Sequence, residues 1–431
     1  MRSPFLPPEV WTNPPPGTPP SRRRTRRSGA AAIDELLLDA AVEVLADTGP
    51  DVWAIQNVAK RAGTTTGAIY SRYENAVEFA VGVWEHRSRT SLRPLLDLVV
   101  ELVTTPSGPD SIERITRIGS AVHEPDASLR TAVVQLVVAR RIDELAEVVV
   151  PDLQAWLDEW GAAPGADPTR RAVVVGSIAT TLGAALGNMP DGVPVANWCG
   201  ILRHFAGIGS HPWPVSGRPP SPVTIPHPTI DTGDLERDKL VAAAAEVVAT
   251  VGFANATISR ISRRAGALSS SSYRHFPSKD ELLTAAIDEL LLRHYLTRIT
   301  NSAELLAGNR IDRTQFERVA AGRLAGNLQP ARKLLENLRL EVFLAAAFDE
   351  DLASVLSATL ETADDAHRRA YGRWTVPERH REPAHLLRAL SLGAQLVERL
   401  AGPFDDVDWR RVVGPLMRYL APETPEGSES A

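Results

Sequence analysis

Residues 37 to 80 and 240 to 283 are two copies of one unit, matched without a gap at an offset of 203 positions. Leu37, Ala40, Ala41, Glu43, Val44, Ala46, Gly49, Ile55, Arg61, Ala62, Gly63, Tyr70 and Glu78 recur as Leu240, Ala243, Ala244, Glu246, Val247, Ala249, Gly252, Ile258, Arg264, Ala265, Gly266, Tyr273 and Glu281. Alanine richness explains a few of these identities, but it does not bring Gly, Tyr and an Ala-Gly pair into one register. A repeat of this kind makes the chain two related halves, and whatever one copy folds into the other should fold into as well.

Each copy reads as three short helices. Leu37, Ala40, Ala41, Val44, Leu45 and Thr48, like Leu240, Ala243, Ala244, Val247, Val248 and Val251, follow the i, i+3, i+4, i+7 stripe of an amphipathic helix. Gly49 and Gly252 should end it, because glycine takes the left-handed conformation at little steric cost. A second helix carries Ile55, Val58 and Ala62, or Ile258, Ile261 and Ala265, up to a tight turn at Gly63 or Gly266. A third starts at once, through Thr65-Thr66-Gly67-Ala68-Ile69-Tyr70-Ser71-Arg72-Tyr73 or Ser269-Ser270-Ser271-Ser272-Tyr273-Arg274-His275-Phe276. Two short helices joined by a Gly-bearing turn form the helix-turn-helix that presents its second helix to the DNA major groove. Asn75 with Glu78, and Ser278 with Glu281, have the N-cap to N3 spacing of reciprocal caps for a fourth helix.

With these residues the chain resembles the TetR family of ligand-controlled transcriptional repressors, whose DNA-binding domain runs through Ala-Gly-Val-Ser-x-Gly-x-Leu-Tyr-x-His-Phe and then Ser-Lys-Glu-x-Leu. The second copy matches through Ala265-Gly266, Tyr273-Arg274-His275-Phe276 and Ser278-Lys279-Asp280-Glu281-Leu282, the first through Ala62-Gly63-Thr64-Thr65-Thr66-Gly67-Ala68-Ile69-Tyr70. Both depart from it in places. Leu268 stands for Ser, Ser270 for Gly and Ser272 for an apolar packing residue, while Arg72 replaces His and Ala76 replaces Lys.

The resemblance implies an all-α fold of two TetR-like halves, each a DNA-binding domain followed by a helical domain that supplies dimer contacts and a ligand cavity. It implies double-stranded DNA and a small-molecule effector of unidentified chemistry as partners, and no cofactor. TetR-type proteins work as two-fold dimers with recognition helices roughly 34 to 36 Å apart, so this chain reads as a dimer fused into one polypeptide, with unlike half-sites in its operator. The linker makes that pairing intramolecular, and further pairing of two chains stays open. Candidate DNA contacts are Thr65, Thr66, Tyr70, Ser71 and Arg72 in the first reader, and Thr257, Ser269, Ser271, Tyr273, Arg274, His275 and Lys279 in the second. The tyrosines and Lys279 suit phosphate, whereas Arg and the hydroxyls also reach base edges. Each has a plainer reading, the Ser run as a weak cap and the tyrosines as packing.

Net charge is −6, so affinity for DNA has to be local. In the first copy Lys60, Arg61 and Arg72 face six acidic residues; in the second Arg260, Arg263, Arg264, Arg274 and Lys279 outnumber Glu246, Asp280 and Glu281. The second copy is the better match for phosphate. Upstream of the first, Arg22, Arg23, Arg24, Arg26 and Arg27 could form an arm entering the minor groove or lying along phosphates; a solvated basic tail is the alternative.

The expected organisation is a disordered Pro- and Arg-rich arm over 1–30, DNA-binding domains over 31–80 and 235–283, helical regulatory domains over 81–206 and 284–421, a Pro-rich linker over 207–234 and a disordered tail over 422–431. Helical patterns run over about 76–104, 110–122, 126–160, 168–187 and 194–206, and again over 279–306, 311–325, 330–371, 383–401 and 406–420. No apolar run with period two stands out. The Ala-, Leu- and Gly-rich segments 168–187 and 383–401 are candidates for the interface bundle. Leu129 to Val150 and Leu334 to Phe348, with Trp156, Trp160, Trp198 and Trp374 nearby, surround an effector if the resemblance holds and are core on composition alone. A Pro-rich linker extends at about 3.1 Å per residue, so some 25 residues reach about 75 Å, enough to run from the far end of one half to the DNA face of the other.

One cysteine, Cys199, excludes an intrachain disulfide, and no apolar run approaches a membrane span of about 20 residues. With no secretory signal in view, a cytoplasmic protein is expected. The histidines lack metal spacing, and neither a phosphate-binding loop nor a Gly-x-Ser-x-Gly elbow is present, so catalysis is not expected. The rival reading is a small-molecule sensor or interaction module in which one or both copies have lost DNA binding.

Overall fold

A computed structural model describes residues 21–50, 55–188, 195–223, 228–307, 313–371 and 381–420. Of the segments expected to be disordered, 1–20 and 422–431 lie outside these residues, as does Trp374, whereas 21–30 are helical and not disordered, because the Pro-free stretch after Pro20 continues into the first helix. Among the described residues every regular element is helical. Among these residues, no helix is long and apolar enough to cross a membrane.

The first half contains α1 (Ser21–Thr48), α2 (Ile55–Arg61), α3 (Thr66–Tyr70), α4 (Ala76–Val83), α5 (Arg89–Thr104), α6 (Pro109–His123), α7 (Ala127–Val138), α8 (Asp143–Glu159), α9 (Pro168–Asn188) and α10 (Val195–Phe205). The second follows the same order with α11 (Leu235–Val251), α12 (Ile258–Ala265), α13 (Ser269–His275), α14 (Lys279–Ala286), α15 (Arg293–Ala307), α16 (Arg313–Asn327), α17 (Lys333–Ala346), α18 (Glu350–Tyr371), α19 (Arg381–Ala401) and α20 (Arg410–Leu420). The repeat extends to an irregularity. A widened π turn joins α4 to α5 at Trp84–Ser88, and another joins α14 to α15 at Ile287–Leu292.

Two of the expected helical spans are each divided. The span 126–160 is α7 and α8, and 330–371 is a short 3₁₀ turn, α17 and α18. Neither break contains Gly or Pro. After α17 the Asp349 carboxylate accepts from Leu352 N at 3.0 Å and restarts the helix as a cap. After α7 the chain turns where Arg140 and Arg141 leave for the other half. The Arg140 guanidinium donates to Asn337 Oδ1 at 2.8 Å and Glu341 Oε1 at 2.9 Å, and Arg141 to the Val251 carbonyl at 2.6 Å. The Arg140 and Glu341 side chains are both about 2% exposed. Burial brings Arg140 down to about 10, so it stays protonated at neutral pH opposite its carboxylate.

Each DNA-binding unit rests on its own half through its first helix, α1 against α7 and α11 against α17. The buried Thr131 hydroxyl donates to the Val42 carbonyl at 3.0 Å along the first of these contacts. The halves meet chiefly where α9 packs along α19. The closest approach is between Gly183 and Gly393, where a Cβ on Gly183 would overlap the Ala389 carbonyl and one on Gly393 the Ala179 carbonyl. Only glycine lets two helix backbones come so near. The contact is reciprocal, since each glycine faces the alanine four residues before the other. Arg171 adds a cross-link from α9, donating to Asp406 Oδ2 at 2.8 Å and to the Pro403 carbonyl at 3.0 Å.

The Pro-rich linker leaves α10 and is fastened along the second half. Trp213 Nε1 donates to Glu317 Oε2 at 3.1 Å, Arg410 donates to the Ser216 and Gly217 carbonyls at 2.7 and 3.1 Å, and Val223 N donates to the Gly322 carbonyl at 2.8 Å. It then delivers the chain to Asp234, whose side chain caps α11.

Candidate nucleic-acid interface

The two helix-turn-helix units close their second helices in the same way. Ala59 and Ser262 accept, through their carbonyls, from Thr64 N at 2.9 Å and Ala267 N at 2.8 Å, and Gly63 and Gly266 hold φ of +62° and +69°. This closes each second helix and aims the third away from it. Leu37, Ala41, Val58 and Ile69 are buried in the first unit, and Leu240, Ala244, Ile261 and Phe276 in the second. An ion pair repeats with the fold: Arg61 Nη1 lies 2.9 Å from Glu43 Oε2, and Arg264 pairs with Glu246. The N-cap half of each expected reciprocal cap is present, with Asn75 Oδ1 accepting from Val77 N and Glu78 N, and Ser278 Oγ accepting from Glu281 N. Glu78 reaches back one residue further than expected, to Glu74 N.

One substitution between the copies is compensated. In the first, Ala59 and Ile69 are buried apolar residues of α2 and α3; at the same positions of the second stand Ser262 and Ser272, both about 1% exposed, with hydroxyls 2.7 Å apart. The pair answers the polarity that Ser272 brings into the core, and neither serine is free to face DNA.

In the first reader Thr65 and Ser71 are exposed, Thr66 is half-buried and Tyr70 is 56% exposed. Arg72 is drawn back onto its own unit, pairing with Asp34 and donating to the Ala68 carbonyl at 2.9 Å and to Ser71 Oγ at 3.0 Å. Arg61 is likewise held by Glu43 and Asp47. Lys60 is exposed. Of the basic run, Arg22, Arg23, Arg24, Arg26 and Arg27 fall in the opening turns of α1, which starts directly after Pro20; their side chains lie outside the described part. Arginine is a good helix former, and the run holds no Pro or Gly to interrupt it.

The second reader presents more. Tyr273 is 55% exposed, matching Tyr70, and Ser269, Arg260, Arg263 and Arg274 are exposed as well. Thr257 is exposed, with its hydroxyl capping α12 through Arg260 N at 3.3 Å. Ser271 donates to Glu236, and His275 lies 3.2 Å from both Asp234 and Glu236. Hydrogen bonds from the Arg237 and Glu236 amides hold the Asp234 carboxyl below its usual range, and those from Ser271 and His275 do the same for Glu236. Lys279 donates to the Phe253 carbonyl at 2.9 Å and sits over the Phe253 ring, pinning the loop before α12. His275 and Lys279 thus brace the reader, and Arg260, Arg263 and Arg274 carry its outward charge, with Arg274 lying 3.7 Å from Glu236 Oε2. Arg263, counted from sequence in the charge of the second copy but not among its candidate DNA contacts, occupies the same repeat position as Lys60.

A cleft of about 330 Å³ lies between the units, lined by Leu45, Pro50 and Ala80 from the first, Thr250, Val251 and Asn255 from the second, and Arg141 between them. The ends of α1 and α11 are each touched by the opposite half. Phe348 packs on Gly49, and Arg141 on Gly252. The protein is therefore a helix-turn-helix protein with two readers sharing one cleft.

The family described as bacterial regulatory proteins, tetR family, matches the chain at residues 37–76 and 240–286. That family's DNA-binding segment is thus matched twice in this chain, once at each helix-turn-helix unit. No curated protein matches the sequence significantly. Among solved structures, the multidrug binding protein EbrR complexed with imidazole is 23% identical over 44% of this chain and 97% of its own, with a TM-score of 0.36. A transcriptional regulator from Rhodococcus sp. Rha1 is 21% identical over 44% of this chain and 99% of its own, with a TM-score of 0.35.

Proposed function

We propose that the chain acts as a ligand-responsive repressor in which the two halves form a fused pseudo-dimer, the two readers contacting unlike half-sites of one operator. The observation that carries this reading is the reciprocal Gly183 and Gly393 contact between α9 and α19, which is the self-complementary form a two-fold interface takes. The shared cleft between the readers supports it, because residues of both units line one space. The readers differ in outward charge, so the half-sites differ too. Tyr70, Thr65 and Thr66 face one, and Tyr273, Ser269 and Arg274 face the other. An effector acts by binding unequally to two spacings of the readers.

Selection of genomic fragments by the purified chain tests this directly. The expected product is a non-palindromic site with half-site centres about one DNA turn apart. Recovery of a single half-site, read only by the second copy, would support the rival reading, which the internal pairing of Arg61 and Arg72 favours. Recovery of nothing above background would leave a sensor without DNA binding.

A further inference from the structure

The turn after α7 and the turn after α17 are one feature repeated. Arg141 N donates to the Val138 carbonyl at 2.9 Å, and Phe348 N to the Ala345 carbonyl at 3.0 Å. Just beyond, Ala146 N donates to the Ile142 carbonyl at 3.0 Å, and Ala353 N to the Asp349 carbonyl at 2.8 Å. These pairs all stand 207 positions apart, so Arg141 and Phe348 hold the same place in their two halves. Each leaves its own half and meets the other. Phe348 Cδ2 lies 2.6 Å from where a Cβ on Gly49 would stand, and the Arg141 guanidinium takes the corresponding place at Gly252. Gly49 and Gly252 are themselves equivalent in the reader repeat, with φ of +72° and +82°. Their amides close the last turns of α1 and α11 on the Leu45 and Val248 carbonyls, both at 3.0 Å. The repeat of the bodies and the repeat of the readers thus meet in two crossed contacts.

Within each reader the first helix is held twice, along its shaft by its own half and at its end by the opposite one. On α1 the Thr131 hydroxyl donates to the Val42 carbonyl and Arg130 to the Ala46 carbonyl at 3.3 Å, both from the same half. One turn on, at Gly49, the contact is with Phe348. In the second half α11 packs along α17, while Arg141 of the first half donates to the carbonyl of Val251, the last residue of α11, at 2.6 Å. A cation is favoured there by the C-terminal end of the helix dipole, and Glu341 Oε2, 3.8 Å away, helps to place it. Helix ends open more readily than helix interiors. These two ends are also where the chain departs for α2 and α12, so the group that grips each end sets the direction in which its reader leaves.

We propose that the two halves steer one another's readers: the turn after α17 fixes the first reader through Phe348, and the turn after α7 fixes the second through Arg141. A displacement of either turn is delivered across the molecule to the opposite reader. The grips differ in kind, ring packing at Gly49 and a charged hydrogen bond at Val251. The proposal rests on the paired-halves reading above for its meaning at an operator, but it is measured with no DNA present, so its failure and a failure of DNA recognition are told apart.

Amide hydrogen exchange of the full chain, resolved by segment, tests it. Phe348→Ala should speed exchange about 10-fold at Gly49 and through α2 and α3, with Gly252, α12 and α13 at wild-type rates; Arg141→Met should do the reverse. Glu341 keeps Arg140 at 2.9 Å in the second variant, so no carboxylate is stranded. Should Phe348→Ala loosen α9 and α19 as well, Phe348→Leu, which retains much of the apolar bulk, is read by the same criterion. The proposal is overturned if the faster exchange falls in the reader of the substituted residue's own half, if both readers respond alike, or if neither responds.

Discussion

Gly183 and Gly393 face one another across the crossing of α9 and α19, and neither position has room for a Cβ beside the other helix's backbone. The neighbour that would have to yield is main chain, which cannot swing aside as a side chain can. Gly183→Leu is expected to cost about 3 kcal/mol of stability, read as a lower urea midpoint. An unchanged midpoint would mean that the two helices do not meet this closely in solution.

The buried pair Arg140 and Glu341 joins the halves from the other direction. Glu341→Ala strands Arg140, and partly Arg141, in a desolvated site, and should cost about 3–5 kcal/mol. Arg140→Met combined with Glu341→Leu should cost much less than the single change, because no charge is left alone. Equal losses in the single and double variants, measured by denaturant titration, would rule out a coupled buried pair.

Salt dependence separates the readers. Arg263→Ala and Arg274→Ala should each lower the slope of log affinity against log salt by about 0.9, the signature of one lost phosphate contact. Arg72→Ala should change the slope little, since its guanidinium is already engaged by Asp34 and the Ala68 carbonyl. A slope unaltered by Arg263→Ala and Arg274→Ala together would move the contact surface elsewhere.

Stability below neutral pH should depend on His294. Burial, and the arginines around it, hold its folded-state value below the unfolded value of about 6.5, so below that pH the unfolded chain takes up a proton that the folded chain refuses. Stability is therefore fully present above about pH 6.5 and is lost as pH falls, by up to about 1.4 kcal/mol per pH unit. His294→Gln should flatten this slope relative to the wild type. Parallel curves from pH 7 to pH 5 would show that His294 is protonated within the fold.

The readers were the legible part of the sequence because their constraints are local. A glycine turn, a cap and an apolar stripe declare themselves within a few residues, and the 203-residue repeat confirmed them twice. The compensation of Ser272 was half legible. Its polarity was evident, but its partner Ser262 sits on another helix, and only the packing of α12 against α13 brings the hydroxyls together. The breaks after α7 and α17 carried no Gly or Pro, and Arg140 and Arg141 looked like ordinary surface charge until the other half supplied Glu341 and the Val251 carbonyl. The meeting of Phe348 with Gly49 was invisible for the same reason, since helical periodicity gives a face but not what that face will meet. Lys279 and His275 matched a motif by identity, and the structure shows them bracing the unit from within.

The linker clasped by Trp213, Arg410 and Val223 has a consequence for how such a protein can change over generations. In a symmetric pair of identical chains, every mutation arrives in duplicate, and a residue that suits one DNA half must suit the other. Tethered in a single polypeptide, each lobe mutates alone, so one can gather charge while its sibling turns acidic.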